Sequence, residues 1–179
     1  MRILKKILLV IVVLILLVLL VAAFVDGKIK FERSVDINAP VDTVWTHVSS
    51  LAAMNTWSPW FDKDPAMKKT SEGTDGTPGA RFCWESQKKE VGRGCQTIRS
   101  LNAPASIETD LKFYTPYESE AQAYVKLEPA GSGTRATWGF NSEMPYPLRI
   151  IKLFTNMEKM MEPDFTKGLQ RLKEQAEHR

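Results

Sequence analysis

The stretch Lys28-Ile29-Lys30-Phe31-Glu32-Arg33-Ser34-Val35-Asp36-Ile37-Asn38-Ala39-Pro40 decides the fold. Ile29, Phe31, Val35 and Ile37 alternate with Lys30, Glu32, Ser34 and Asp36, the period-two pattern of a strand with one face buried and one in water. Asn38-Ala39-Pro40 stops it, and Pro40 suits the first turn of a helix, where its missing N–H would have had no partner. From there Val41, Val44, Trp45, Val48 and Leu51 recur at helical spacing, so a short amphipathic helix is expected. Asn55-Thr56-Trp57-Ser58-Pro59-Trp60 reads as a loop carrying two indoles.

Downstream, strand-like runs alternate with turn residues. Strands are expected at 66–72, 80–86, 92–101, 106–113, 118–128 and 133–142, separated by Gly73 to Gly79, Lys88-Lys89-Glu90, Asn102-Ala103-Pro104, Thr115-Pro116 and Pro129 to Gly133. Spacers this short join neighbours as hairpins, which makes an antiparallel meander. After Pro145-Tyr146-Pro147 the period becomes helical. Ile150, Leu153, Phe154, Met157, Met160, Met161, Phe165, Leu169 and Leu172 keep one side apolar. Pro163 cannot donate a backbone bond, so a kink or a junction of two helices is expected there. Gly168 weakens a helix, by about 1 kcal/mol against Ala, and marks a place of close packing.

Upstream lies a different kind of segment. Met1-Arg2-Ile3-Leu4-Lys5-Lys6 precedes an unbroken apolar run from Ile7 to Val25. As a helix that run is roughly 28 Å long, close to the ~30 Å of bilayer hydrocarbon. A cleaved signal peptide has an apolar region of ~7–15 residues, so the length favours an anchor, although Val21-Ala22-Ala23 would admit a cut. The expected organisation is a cytoplasmic stub and transmembrane anchor at 1–25 and one domain at 26–179. Lys28, Lys30 and Arg33 answer Arg2, Lys5 and Lys6 across the run, so charge alone barely orients it. The short cationic tail is taken as cytoplasmic and the domain as extracytoplasmic. The link is only Asp26-Gly27-Lys28, which holds the domain within about 10 Å of the bilayer surface.

Taking Arg2, Lys5 and Lys6 from the 24 basic residues leaves 21, against 21 acidic ones. The pI of 8.8 therefore belongs to the anchor. No surplus of cations remains to follow nucleic-acid phosphates. Two cysteines and two histidines, with no CxxC or HExxH, give no ordinary metal site, and no cofactor motif is present. His47 sits off the apolar face of its helix and His178 near the end of the chain, so no nucleophile–histidine pair is expected.

A strand, a helix, an antiparallel meander and a long terminal helix make an α+β chain. Val35-Asp36-Ile37-Asn38-Ala39-Pro40 with Val44-Trp45, Trp57-Ser58-Pro59-Trp60, Gly79 to Trp84, Gly92-Arg93-Gly94, Gly133 to Trp138 and Pro163 to Leu169 resemble the START-like, polyketide cyclase/dehydrase (SRPBCC) superfamily. The resemblance runs over most of residues 28–175. It implies the helix-grip fold of the birch pollen allergen, a curved antiparallel sheet of about seven strands wrapped round the C-terminal helix, with an apolar cavity between them. It does not imply one activity, because the superfamily holds carriers, receptors and cyclases.

By alternation Phe82, Trp84, Gln96, Ile98, Thr109, Leu111, Phe113, Trp138 and Phe140 share the inner face, opposite Met157, Met161 and Phe165. These are the expected cavity residues. Such a stripe is ordinarily core, and it is the resemblance that makes it a cavity. Gln96 and Thr109 would orient a guest, and Arg33 lies on the same face, where it either meets an acidic head group or snorkels to water. If Ser86 pairs with Gly92, Cys83 falls opposite Cys95 on the outer face, within disulfide reach; a one-residue slip would part them.

Three functions are compatible with these residues. One is a membrane-anchored domain that binds a hydrophobic or amphipathic small molecule, such as a lipid, at the bilayer. Another is a cyclase or dehydratase, which would need an ionisable group deep in the pocket; on this register only Arg33 qualifies, and no catalytic residue is assigned. The third is an interaction module with a filled core, in which Leu148 to Met161 contacts a partner or the bilayer.

Overall fold

The computed structural model describes residues 2–178, so Met1 and Arg179, the outer ends of the two expected units, lie outside it. Helix α1 spans Arg2–Phe24, and strand β1 follows at Lys28–Ile37. Three short helices come next: α2 at Val41–Thr46, α3 at Leu51–Trp57 and α4 at Trp60–Lys63. The meander comprises β2 (Lys68–Glu72), β3 (Arg81–Glu85), β4 (Arg93–Asn102), β5 (Ser106–Thr115), β6 (Ser119–Ala130) and β7 (Gly133–Glu143). A 3-10 segment at Leu148–Leu153 leads into α5, Met157–Glu177.

The seven strands form one antiparallel sheet in the order β1-β7-β6-β5-β4-β3-β2. Consecutive strands pair throughout the meander, and β1 closes against β7 from Lys28↔Glu143 to Ile37↔Thr134. Helix α5 packs along β1, with α2 and α3 across its other side. This is the expected α+β, helix-grip arrangement. The edge strand β2 is exposed throughout, and its sequence Lys-Lys-Thr-Ser-Glu keeps that edge charged and wet.

Local capping redrew three expected boundaries. The amphipathic stretch after Pro40 is two helices, because Ser50 accepts from the Ala53 N–H at 3.1 Å and starts a second one. Both carboxylate oxygens of Asp75 reinforce that start by accepting from Leu51 and Ala52 at 2.8 and 2.9 Å. The expected loop at Asn55–Trp60 is mostly helical. Trp57 closes α3, fully buried, with Nε1 donating to the His47 carbonyl at 2.9 Å, and Trp60 opens α4, partly exposed. The expected break at Pro163 falls earlier instead. Asn156 caps α5 through the Lys159 N–H at 3.1 Å, and the helix runs through Pro163 on its exposed side.

Gly168 has the predicted close neighbour, since a Cβ there would lie 2.7 Å from Cζ3 of Trp138. Among the described residues one helix, Ile3–Phe24, is long and apolar enough to cross a membrane. The three-residue link is bonded at every residue. Gly27 accepts from Met144 N–H at 2.9 Å, and the Lys152 ammonium donates to the carbonyls of Asp26 and Lys28 at 2.6 and 2.5 Å.

Candidate functional site

Strand register assembles the inner face. Phe82 lies opposite Gln96, Gln96 opposite Leu111, and Gly94 between Trp84 and Phe113. Ile98 lies opposite Thr109, Thr109 opposite Ala123, Ala123 opposite Phe140, and Val125 opposite Trp138. Directly opposed residues point to the same side of a sheet, so all the predicted strand residues share the face that looks toward α5.

Packing divides that face in two. Toward α2 and α3 it is filled. Trp138 stacks on Phe165 with ring centroids 4.1 Å apart and meets Trp57 edge-on at 4.9 Å, and Phe31 meets Phe165 edge-on at the same separation. Ile98 and Thr109 are buried beside this cluster. Toward the far end of the sheet Phe82, Trp84, Leu111 and Phe113 of β3–β5 are apolar yet only part-buried, as are Phe140 of β7 and Met157 and Met161 of α5. Phe82, Phe140 and Met161 pack on the edge of the core.

Trp84 lies flat over Gly94 of the neighbouring strand. A Cβ on Gly94 would lie 2.5 Å from its Cζ2, Phe113 meets it edge-on at 5.8 Å, and its Nε1 donates to the Val91 carbonyl at 3.3 Å. Trp84 and Trp138 therefore belong to separate clusters. Phe61 of α4 packs edge-on against Phe82 at 5.4 Å.

The polar groups of the inner face are engaged. Gln96 donates to the Thr109 hydroxyl at 3.0 Å, and that hydroxyl donates to the Ala123 carbonyl at 3.3 Å. Arg33 pairs with Glu162 of α5 at 3.0 Å and lies over the Phe31 ring on an edge strand. That is the half-exposed outcome expected of a snorkelling arginine. His47 caps the end of α2.

One residue escaped the sequence reading. Asp64 is buried behind α4 and accepts from Ser86 Oγ at 2.5 Å and the Ala66 N–H at 3.3 Å, pinning α4 to the end of β3. It lies in an irregular connection, where no periodicity marks a side chain as buried. Among the described residues no group of His, Cys, Asp or Glu could hold a metal ion.

Ion pairs clamp α4 to α5. Lys63 pairs with Asp164 at 2.7 Å, and Asp62 pairs with Lys167 and Arg171, both at 2.7 Å. The hydrogen bond from Arg171, then that from Lys167, holds the Asp62 carboxyl at about 2, below the ordinary 3.8. A depressed folded-state value means that the unfolded chain takes up the proton first. The clamp's contribution is thus full above pH 3.8 and is lost as pH falls toward 2. Urea midpoints followed over that window should fall less steeply in Asp62→Asn than in the parent; equal slopes would assign the acid sensitivity elsewhere.

On the outer face Cys83 lies opposite Cys95 and the sulfurs are bonded as a disulfide. The same face carries an open polar hollow of about 490 Å³ beside Lys30, Glu32, Arg99, Glu108, Tyr124 and Lys126. Its groups are largely paired with one another. Tyr124 donates to Glu32 at 2.6 Å, and burial together with that bond pushes its phenol up to about 12, while Arg99 pairs with Asp110.

Comparison with protein families matches residues 28–177 to "Polyketide cyclase / dehydrase and lipid transport". The chain belongs to this family. Polyketide cyclase/dehydrase and lipid transport domains share the helix-grip fold seen here, and solved structures agree at the level of architecture. A putative uncharacterized protein from Rhizobium leguminosarum is 14% identical with a TM-score of 0.60, covering 85% of this chain and 96% of its own. A Thermobifida fusca protein is 20% identical at 0.60, covering 82% and 92%. Ara h 8.0201 is 13% identical at 0.54, covering 82% and 98%. Comparison with curated proteins finds no match.

Proposed function

We propose that this protein is a membrane-anchored domain that binds a hydrophobic or amphipathic small molecule, such as a lipid, between the inner face of β3–β5 and the start of α5. One observation carries the reading. Phe82, Trp84, Leu111 and Phe113 on one face of the sheet, and Met157 and Met161 on α5, are apolar yet only part-buried, while the other half of the same sheet face is tightly filled. Apolar side chains left half in water give a greasy guest a free-energy gain of about 25 cal/mol for each Å² covered. The two part-buried thioethers of α5 would adapt to guests of different shape. The membership of a family described by lipid transport agrees with this.

Anchoring follows from α1, whose apolar length matches a bilayer. A domain fixed at 26–179 cannot carry cargo between membranes; it would extract or present a ligand at its own. The Cys83–Cys95 disulfide suits an oxidising compartment and hence an extracytoplasmic domain. A cyclase or dehydratase has less support, since Gln96 and Thr109 are bonded to each other and Arg33 to Glu162.

The test is uptake of a fluorescent fatty acid by detergent-free domain, with mass spectrometry of organic extracts. Saturable uptake is expected, and Leu111→Glu, which puts a charge into apolar surroundings, should weaken it by about tenfold or more. No uptake and no extracted lipid would remove the binding reading.

A further inference from the structure

We infer that the 3-10 segment Leu148–Leu153, with Tyr146 before it and Phe154 after it, is a second membrane contact that sits in the headgroup and upper acyl layer of the bilayer holding α1. The inference rests on the anchor reading above and adds to it.

The decisive contact is between the segment and the anchor. Tyr146 donates its hydroxyl to the Leu19 carbonyl at 3.3 Å. Leu19 lies six residues before Val25, where the apolar run ends. At ~1.5 Å per residue that is about 9 Å down the helix axis. If α1 spans, Tyr146 lies below the level at which the chain leaves the hydrocarbon, and the domain's Pro145–Pro147 corner overlaps the membrane. Interfacial elements bury their apolar face by roughly 5–10 Å, the same depth. Tyrosine is also a residue enriched at that boundary.

The neighbouring side chains fit this environment. Phe154 is 83% exposed, Leu153 57% and Leu148 50%, a contiguous apolar surface next to α1. Cations stand at its upper edge. Arg149 reaches the Val25 carbonyl at 3.4 Å, and Lys152 holds Asp26 and Lys28. There they complement the carbonyl end of α1 and the anionic headgroups together. The bonded link fixes the domain's orientation, so this surface faces the bilayer continuously.

The test uses the full chain in phosphatidylcholine vesicles containing phosphatidylglycerol. Because Cys83 and Cys95 are joined, a nitroxide on Phe154→Cys reports one position, Leu148→Cys repeats it, and Ser132→Cys is the control. Ser132 adjoins the Ile37 end of β1, some 30 Å along that ten-residue strand from the link. The expected result is that the 154 and 148 labels lie in lipid, accessible to oxygen and shielded from a water-soluble nickel complex, while 132 remains in water. Labels at 154 and 148 in water, with the protein resisting alkaline extraction, would overturn the contact and leave the anchor standing. Protein released by alkaline extraction would overturn both. Shielding that vanishes on dilution with lipid would assign the surface to a second copy and overturn the proposal.

Discussion

Replacing Trp138 by Ala is expected to remove about 3–5 kcal/mol of folding stability, the range for a buried aromatic cut back to a methyl. Trp138 stacks on Phe165, meets Trp57 edge-on and fills the space that Gly168 leaves. Losing it opens a cavity walled by rigid rings that cannot close over it. Domains of this size hold about 5–15 kcal/mol in total, so the urea midpoint should fall by a large fraction. Phe113→Ala makes the informative comparison. Phe113 is part-buried and touches Trp84 on the face proposed to bind ligand, so its loss should cost less stability and more ligand uptake. Equal stability costs for the two variants would contradict the division of the inner face into a filled half and a part-buried half.

Removing residues 1–25 is expected to move the protein from the membrane fraction to solution while leaving the domain folded. Apolar residues at a helix centre each favour insertion by about 0.3–0.6 kcal/mol, so the run from Ile7 to Val25 supplies roughly 5–10 kcal/mol. At about 1.4 kcal/mol per tenfold, that is some four to seven powers of ten in partitioning. The hydrogen bonds that tie α1 to the domain reach Leu19 and Val25 from Tyr146 and Arg149, and none reaches the core. Alkaline extraction of the full chain and of the truncated chain, each followed by a urea midpoint, measures both parts. N-terminal sequencing completes the comparison: a mature chain beginning after Ala23 would make α1 a signal sequence and end the anchor reading.

Much of the inner face was legible because a strand's side chains alternate wherever no bulge interrupts them, and the irregularities of β4 fall outside the run from Gly94 to Ile98. Once Val125, Trp138 and their neighbours were placed in strands, their common side followed, and the register that sets Cys83 against Cys95 followed from the hairpin closed by Ser86 and Gly92. Helix boundaries were less legible. Ser50 and Asn156 begin new helices through single hydrogen bonds that leave the apolar period almost unchanged. Asp64 was invisible for a related reason, its burial being the work of α4 and Ser86, which are distant in sequence or irregular in shape.

From the sequence alone came the apolar N-terminal run, the order of strand and helix, the face each strand residue takes, and a domain with balanced charge. These are properties of period, length and composition, which neighbours in the chain set among themselves. Only the tertiary structure decided that Trp138 stacks into the core while Trp84 packs over Gly94, that Arg33 is answered by Glu162, and that Tyr146 reaches Leu19. Each of those depends on how far α5 and the 3-10 segment slide across the sheet and the anchor, a distance set by close packing between residues far apart in the chain.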